Sequence, residues 1–269
     1  MRSPKILYGT AWKKADTVSL VKTAIRLGFR GIDTACQPRH YNEAGVGAGV
    51  HACLNDKLTR ADLYLQTKFT PLSGHDPATV PYDARAPLAT QVAQSCAVSL
   101  QNLQSDYVDG LILHSPLANA DDTLRVWRAF EQLVDGGAVR QLGISNCYRL
   151  EALKALWDAA RVKPAVIQNR FHAQTRYDRE IRAYCRTQQM SYQSFWTLTA
   201  NPQLLAHATV GALSSRYGRT PAQILFRYLT QSDVVPLTGT RSEAHMREDL
   251  AIFDFELDDA DRDALAAAI

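Results

Sequence analysis

Four side chains of this sequence form a group able to move a proton. Lys68 closes the run "LYLQTK", Asp33 closes "RGID", His114 closes "YVDGLILH", and Tyr41 lies in the loop "TACQPRHYNE" that follows Asp33. A lysine paired with an aspartate stays charged. A cation beside a phenol favours the phenolate, so the tyrosine pKa is expected to fall from about 10 toward the operating range. A phenol in that position can donate its proton to a carbonyl oxygen. A neutral histidine alongside can hydrogen-bond the same oxygen as charge develops on it. Taken singly, each residue has a plainer reading: a lysine capping a strand, a loop carboxylate, a histidine at a core edge.

What matters is whether one scaffold brings the four together. Strand-like apolar runs alternate with helical patterns along the whole chain. The strands read as "KILYG", "RGIDTA", "LYLQTK", "YVDGLILH", "RQLGIS", "AVIQN", "MSYQSFW" and "DVVPL". Between them, apolar residues recur at helical spacing: Val18, Val21 and Ile25; Val92, Cys96 and Leu100; Leu124, Trp127, Phe130 and Val134. Asp16 or Thr17 is placed to cap the first helix and Gly28 to end it, and Thr220–Pro221 starts a later one. Strict alternation of strand and helix implies a parallel sheet. Eight such units, with no linker or composition break, predict a single α/β domain closed into a (β/α)8 barrel, residues 1–269. Such barrels carry their chemistry at the C-terminal strand ends. Polar residues end six of these strands: Asp33, Lys68, His114, Ser145–Asn146, Gln168–Asn169 and the stretch Thr238–Arg241. No GxGxxG follows the first strand, which counts against a Rossmann dinucleotide site.

Composition narrows the classes. Hydrophobic residues make up 46% of the 269 and charged residues 21%, as in ordinary globular domains. A net charge of +3 with no basic run gives no case for nucleic acid. No apolar stretch approaches the ~18 residues of a membrane span, and the first residues do not read as a signal peptide. Five cysteines without CxxC spacing predict reduced thiols in a cytoplasmic protein. No clustered His/Asp set suggests a metal site.

The strings "GTAWK", "GFRGIDTA", "YNE", "LQTKF", "DYVDGLILHSP", "GAVRQLGISN", "VIQNRFH" and "FDFELDDAD" resemble, in order and over nearly the whole chain, those of the aldo-keto reductase superfamily. The resemblance implies a (β/α)8 barrel that reduces aldehydes or ketones with NADPH, NADH being possible, and binds the cofactor without a Rossmann motif. It implies a catalytic tetrad of Asp33, Tyr41, Lys68 and His114. In the familiar spacing the tyrosine stands about five residues after the aspartate, where this chain has Pro38. Counting back from Asn42–Glu43 places His40 in the slot instead. The loop is longer by two residues, and Tyr41 is favoured because a histidine cannot play the phenol's part. His40 is then expected at the mouth.

By the same resemblance, Ser145, Asn146 and Gln168 hold the nicotinamide carboxamide, and Thr10 and Asp33 join the cofactor contacts. An aromatic ring ending strand seven stacks on the nicotinamide; register favours Phe195, with Trp196 the alternative. The segment "PLTGTRSEAHMRED" supplies Gly239, Thr240, Arg241, His245 and Asp249 to the adenosine phosphate. The family commonly has Arg where this chain has His245 and Asn where it has Asp249, so Arg241 is the cation expected to favour NADPH. Trp12, His40 and Tyr82 are the expected substrate contacts, Tyr82 from the long loop 70–87 after strand three. That loop is expected to shape the pocket, with no extended C-terminal tail over it. The implied partner is a small carbonyl compound, with the protein a monomer or weak homo-oligomer. Two rivals are a Schiff-base aldolase using Lys68, which leaves "GISN" and Gln168 unexplained, and a nucleotide-binding regulatory barrel subunit.

Overall fold

The computed structural model describes residues 4–269. Its eight strands are β1 (Leu7–Gly9), β2 (Gly31–Asp33), β3 (Tyr64–Phe69), β4 (Val108–Leu113), β5 (Val139–Ser145), β6 (Val166–Arg170), β7 (Ser191–Phe195) and β8 (Val234–Thr238). Each pairs in parallel with its neighbours in chain order, and β1 pairs with β8 to close the barrel. All eight overlap the runs named from sequence. Parallel strands covered on both faces must be apolar or internally hydrogen-bonded throughout; every residue of β2, β3 and β4 is buried.

The outer layer follows from helix signals. Helix α1 (Thr17–Leu27) buries Val21, Ala24 and Ile25, and Gly28 ends it with φ 126°, a conformation open to glycine. Asp16 precedes it without capping through its side chain. Next come α2 (Glu43–His51), α3 (Leu88–Leu103), α4 (Ala120–Asp135), α5 (Leu150–Ala159) and α6 (Arg179–Thr187). After β7 the chain departs from one helix per strand: α7 (Pro202–Leu205) and α8 (Ala208–Tyr217) precede α9 (Pro221–Gln231). Helix α7 is a single turn, and α8 buries only Val210 and Leu213. Helix α9 starts as expected, with Thr220 and Gln223 forming a reciprocal cap across Pro221. Helices α10 (Glu243–Leu250) and α11 (Asp259–Ala268) complete the ring.

Among the described residues no helix is long and apolar enough to cross a membrane. No three His, Cys, Asp or Glu side chains among them cluster as metal ligands.

Candidate active site

Asp33 is the last residue of β2, Lys68 the last but one of β3, and His114 directly follows β4, so three adjacent strands deliver them to one rim. Lys68 Nζ donates to Asp33 Oδ2 at 2.6 Å and to the Thr34 carbonyl at 2.8 Å. Both side chains are buried, 1% and 4% exposed. Burial pushes the Lys68 ammonium pKa down, while the Asp33 carboxylate beside it pulls the other way. Tyr41 lies over this pair, with Lys68 Nζ 5.2 Å from its ring centroid. Its ring meets His114 edge-on at 6.1 Å.

One electrostatic expectation is corrected. Sequence reasoning had Lys68 lowering the Tyr41 pKa. Burial, and after it the Asp33 charge, instead push the phenol well above its ordinary value. Asp33 neutralises Lys68 at contact distance, so the cation has little field left to offset the loss of water around a phenolate. Tyr41 therefore stays protonated, which suits a proton donor.

His114 Nδ1 is engaged by Thr70 Oγ1 at 2.7 Å, leaving Nε2 as the ring atom available to a ligand. Burial first, then Lys68, lowers its pKa from 6.5 to about 3. Linkage gives this a measurable sign. The native state keeps His114 neutral, whereas the unfolded chain takes up the proton below about pH 6.5. Its contribution is constant above pH 6.5 and declines as pH falls toward 3. Urea unfolding at pH 7, 6 and 5 should show His114→Gln losing less stability with acid than the parent, by up to about 2 kcal/mol at pH 5. Parallel pH dependences for the two proteins would mean that His114 is not held neutral.

The remaining expected residues sort by position. His40 stacks on Trp12 with ring centroids 4.0 Å apart, and its Nδ1 pairs with Gln37 Oε1 at 2.9 Å. So Tyr41, rather than His40, is the ring beside Lys68. Trp12 is half-exposed at the rim. Tyr82 is a correction: it is buried, and its hydroxyl donates to the Thr70 carbonyl at 2.8 Å. His75 Nε2 donates to the same carbonyl at 3.0 Å. Loop 70–87 contains two single 3-10 turns, Leu72–Gly74 and Pro77–Thr79. Its two inward rings brace Thr70, and Thr70 in turn braces His114.

On the far wall, Ser145 Oγ donates to the Gln168 carbonyl at 2.6 Å. Asn146, with φ 55°, donates from Nδ2 to the His114 carbonyl at 2.8 Å. Gln168 Nε2 donates to Asp33 Oδ1 at 2.9 Å. Phe195 shares its strand face with Gln193, whose side chain points into the barrel, so Phe195 belongs to the mouth. Trp196 is half-exposed and stacks on the Arg170 guanidinium at 4.2 Å.

At the end of β8, Arg241 donates to Asp16 Oδ2 at 2.8 Å and to the Trp12 carbonyl at 2.7 Å. Thr240 Oγ1 lies 3.4 Å from His245 Nδ1. Two expected cofactor residues turn elsewhere. Thr10 is buried, and its hydroxyl and amide both donate to the Asp33 carbonyl, pinning β1 to β2. Asp249 is buried and accepts from Thr238 Oγ1 at 2.6 Å; burial pushes its carboxyl pKa up to about 6. Three buried residues escaped the sequence reading: Lys13, whose ammonium binds the Gly239 carbonyl, and the glutamines Gln66 and Gln193.

Set against known proteins, residues 5–269 match the model of the aldo/keto reductase family. The chain is 30% identical over 254 residues to an uncharacterized oxidoreductase, YtbE, of Bacillus subtilis, covering 94% of this chain and 84% of that protein. It is 30% identical over 253 residues to a glyoxal reductase of the same organism, covering 94% and 83%. It is 28% identical to the methylglyoxal reductase DkgA of Yersinia pestis over 90% of this chain and 80% of that one. A crystal structure of an aldo/keto reductase from Brucella melitensis superposes with a TM-score of 0.83 at 28% identity, over 99% of this chain and 95% of that one.

Proposed function

Because the chain belongs to the aldo/keto reductase family and is an oxidoreductase acting on carbonyls, we propose that it reduces an aldehyde or ketone to the alcohol with Tyr41 as proton donor. The observation that carries this reading is the buried Lys68–Asp33 pair lying under the Tyr41 ring with His114 edge-on to it. The family uses nicotinamide cofactors, and a bound NAD(P)H supplies the hydride. Tyr41 gives the carbonyl oxygen its proton as charge develops there. Neutral His114 offers Nε2 to the same oxygen and polarises it. Lys68 and Asp33 hold the phenol against a fixed electrostatic background.

The donor set fits the cofactor. Ser145, Asn146 and Gln168 present amide and hydroxyl groups to the carboxamide, and Phe195 presents a ring. Lys13, Arg241 and the N-terminus of α10 place positive charge where a nucleotide phosphate would sit. Substrates are expected among small carbonyls, with glyoxal and methylglyoxal, the compounds named for two relatives, first in the panel. The test is loss of reduced-cofactor absorbance with these dicarbonyls, simple aldehydes and ketones, using NADPH and NADH in turn. Failure with every carbonyl would sink the reading.

NADPH is the expected cofactor, by a modest margin. To grip a 2′-phosphate, Arg241 must give up Asp16, an exposed pair of the kind worth about 0.2–1 kcal/mol. Asp16→Asn should therefore tighten NADPH up to about fivefold and leave NADH nearly unchanged. Equal effects on both cofactors would remove Arg241 from the phosphate site.

A further inference from the structure

Below the rim the barrel interior holds a closed amide network. Asp33 stands in register with Gln66, and Gln168 with Gln193. The two pairs face each other across the barrel. Gln66 Nε2 donates to Asp33 Oδ1 at 2.7 Å and to Gln193 Oε1 at 2.8 Å. Gln168 Nε2 donates to the same two oxygens, each at 2.9 Å. Gln193 Nε2 returns to Gln66 Oε1 at 3.0 Å, an oxygen that also accepts from the Tyr64 hydroxyl at 3.1 Å. Gln66, Gln168 and Gln193 are at most 2% exposed. Room for Gln66 comes from Gly110 on the next strand: a Cβ there would lie 2.8 Å from the Tyr64 hydroxyl and 3.2 Å from the Gln66 chain.

Such a network has one consistent polarity. Asp33, ionised against Lys68, only accepts hydrogen bonds. It therefore turns the NH2 groups of Gln66 and Gln168 toward itself. Gln66 must then present its oxygen to Gln193, and Gln193 its oxygen back to the two NH2 groups. Both hydrogens of the Gln168 amide are consumed, and its oxygen is the atom left for a ligand. An amide with a free choice of rotamer offers a donor or an acceptor; this one is held as an acceptor.

We propose that Gln66 and Gln193 are positioning residues that lock Gln168 as a hydrogen-bond acceptor for the nicotinamide carboxamide and tie that seat to Asp33 of the acid–base group. The inference rests on the reading above that Gln168 belongs to the nicotinamide seat. A buried polar network that is fully satisfied specifies one arrangement, and one with a member removed does not. Removing Gln193 leaves the Gln168 NH2 one partner short and frees the amide to rotate.

The test compares two probes, NADPH and 2′-phospho-ADP-ribose, which lacks the nicotinamide ring. Their Kd values are measured by titration of intrinsic fluorescence for the parent, Gln193→Leu and Gln66→Met. Gln193→Leu should weaken NADPH about tenfold, the loss of one well-oriented hydrogen bond, and leave the ring-less probe unchanged. Gln66→Met, which keeps the volume, should act in the same direction if Gln193→Leu does not fold. A variant that weakens both probes equally, or neither, overturns the inference. Separately, Gln168→Leu tests the seat: if it leaves NADPH binding unchanged while the parent reduces carbonyls, the assignment of Gln168 fails, whatever the other variants do.

Discussion

Tyr41→Phe should lower kcat by about 10²-fold or more, the usual worth of a positioned general acid, and leave the Kd for NADPH unchanged. The substitution removes one oxygen and keeps the ring that lies over Lys68 and against His114. Nothing else in the acid–base group has to move. His40→Ala is the control. Its ring stacks on Trp12 and pairs with Gln37, away from Lys68, so its loss should fall on KM more than on kcat. Steady-state kinetics with one carbonyl and saturating NADPH, beside a cofactor titration, measures both. A large loss of kcat in His40→Ala with little in Tyr41→Phe would move the donor by one residue. A second signature follows from the raised phenol pKa. The acid form persists as pH rises, so kcat for reduction should not fall through phenol ionisation between pH 7 and about 10.

Lys68→Met should cost about 3–5 kcal/mol of stability, the range for breaking a buried ion pair from one side. The Asp33 carboxylate would stay in the barrel with amide donors and no cation. Asp33→Asn strands the ammonium and should cost a similar amount. Lys68→Met with Asp33→Asn removes both charges, so it should be more stable than the sum of the single losses implies. Urea unfolding of the four proteins completes the cycle. Additive losses, or a Lys68→Met cost below about 1 kcal/mol, would mean that the pair is solvated in solution. Carbonyl reduction should be lost in all three variants.

The barrel was legible because its strands are short apolar runs ending in chemistry-bearing residues. "LYLQTK" and "DGLILH" state both a strand and what stands at its tip. Helices α7 and α8 were not legible: "PQLL" is a single turn, and "ATVGALSSRY" mixes Gly211, Ser214 and Ser215, poor helix formers, into its few apolar residues. Tyr82 was placed wrongly because a polar aromatic in a Pro-rich loop reads as a surface group. The sequence does not say that Thr70 offers its carbonyl to that hydroxyl. Lys13 was overlooked because it stands next to Lys14, and nothing local distinguishes a buried lysine from an exposed one. The interior glutamines did leave a signal. Gln66 is two residues before Lys68, and Gln193 two before Phe195, so strand parity puts each on the same face as a site residue. A polar amide on an inward face requires partners in the barrel. The same parity favours Phe195 over Trp196 at the mouth.

Gly110 carries a consequence for how this barrel can change over generations. Its missing side chain makes the room that the Gln66 chain and the Tyr64 hydroxyl occupy. Gly110→Ala alone should push Gln66 off Asp33, and Gln66→Val alone should leave amides unpaired. Together they should clash less, since the shorter chain vacates its share of the space that the methyl needs and only the Tyr64 hydroxyl must still shift. A paired library at positions 66 and 110, scored for folded yield, should show epistasis, with Gly110→Ala more harmful beside glutamine than beside valine. The order of mutations then matters, because a lineage that acquired glutamine at 66 has closed position 110 to every residue but glycine.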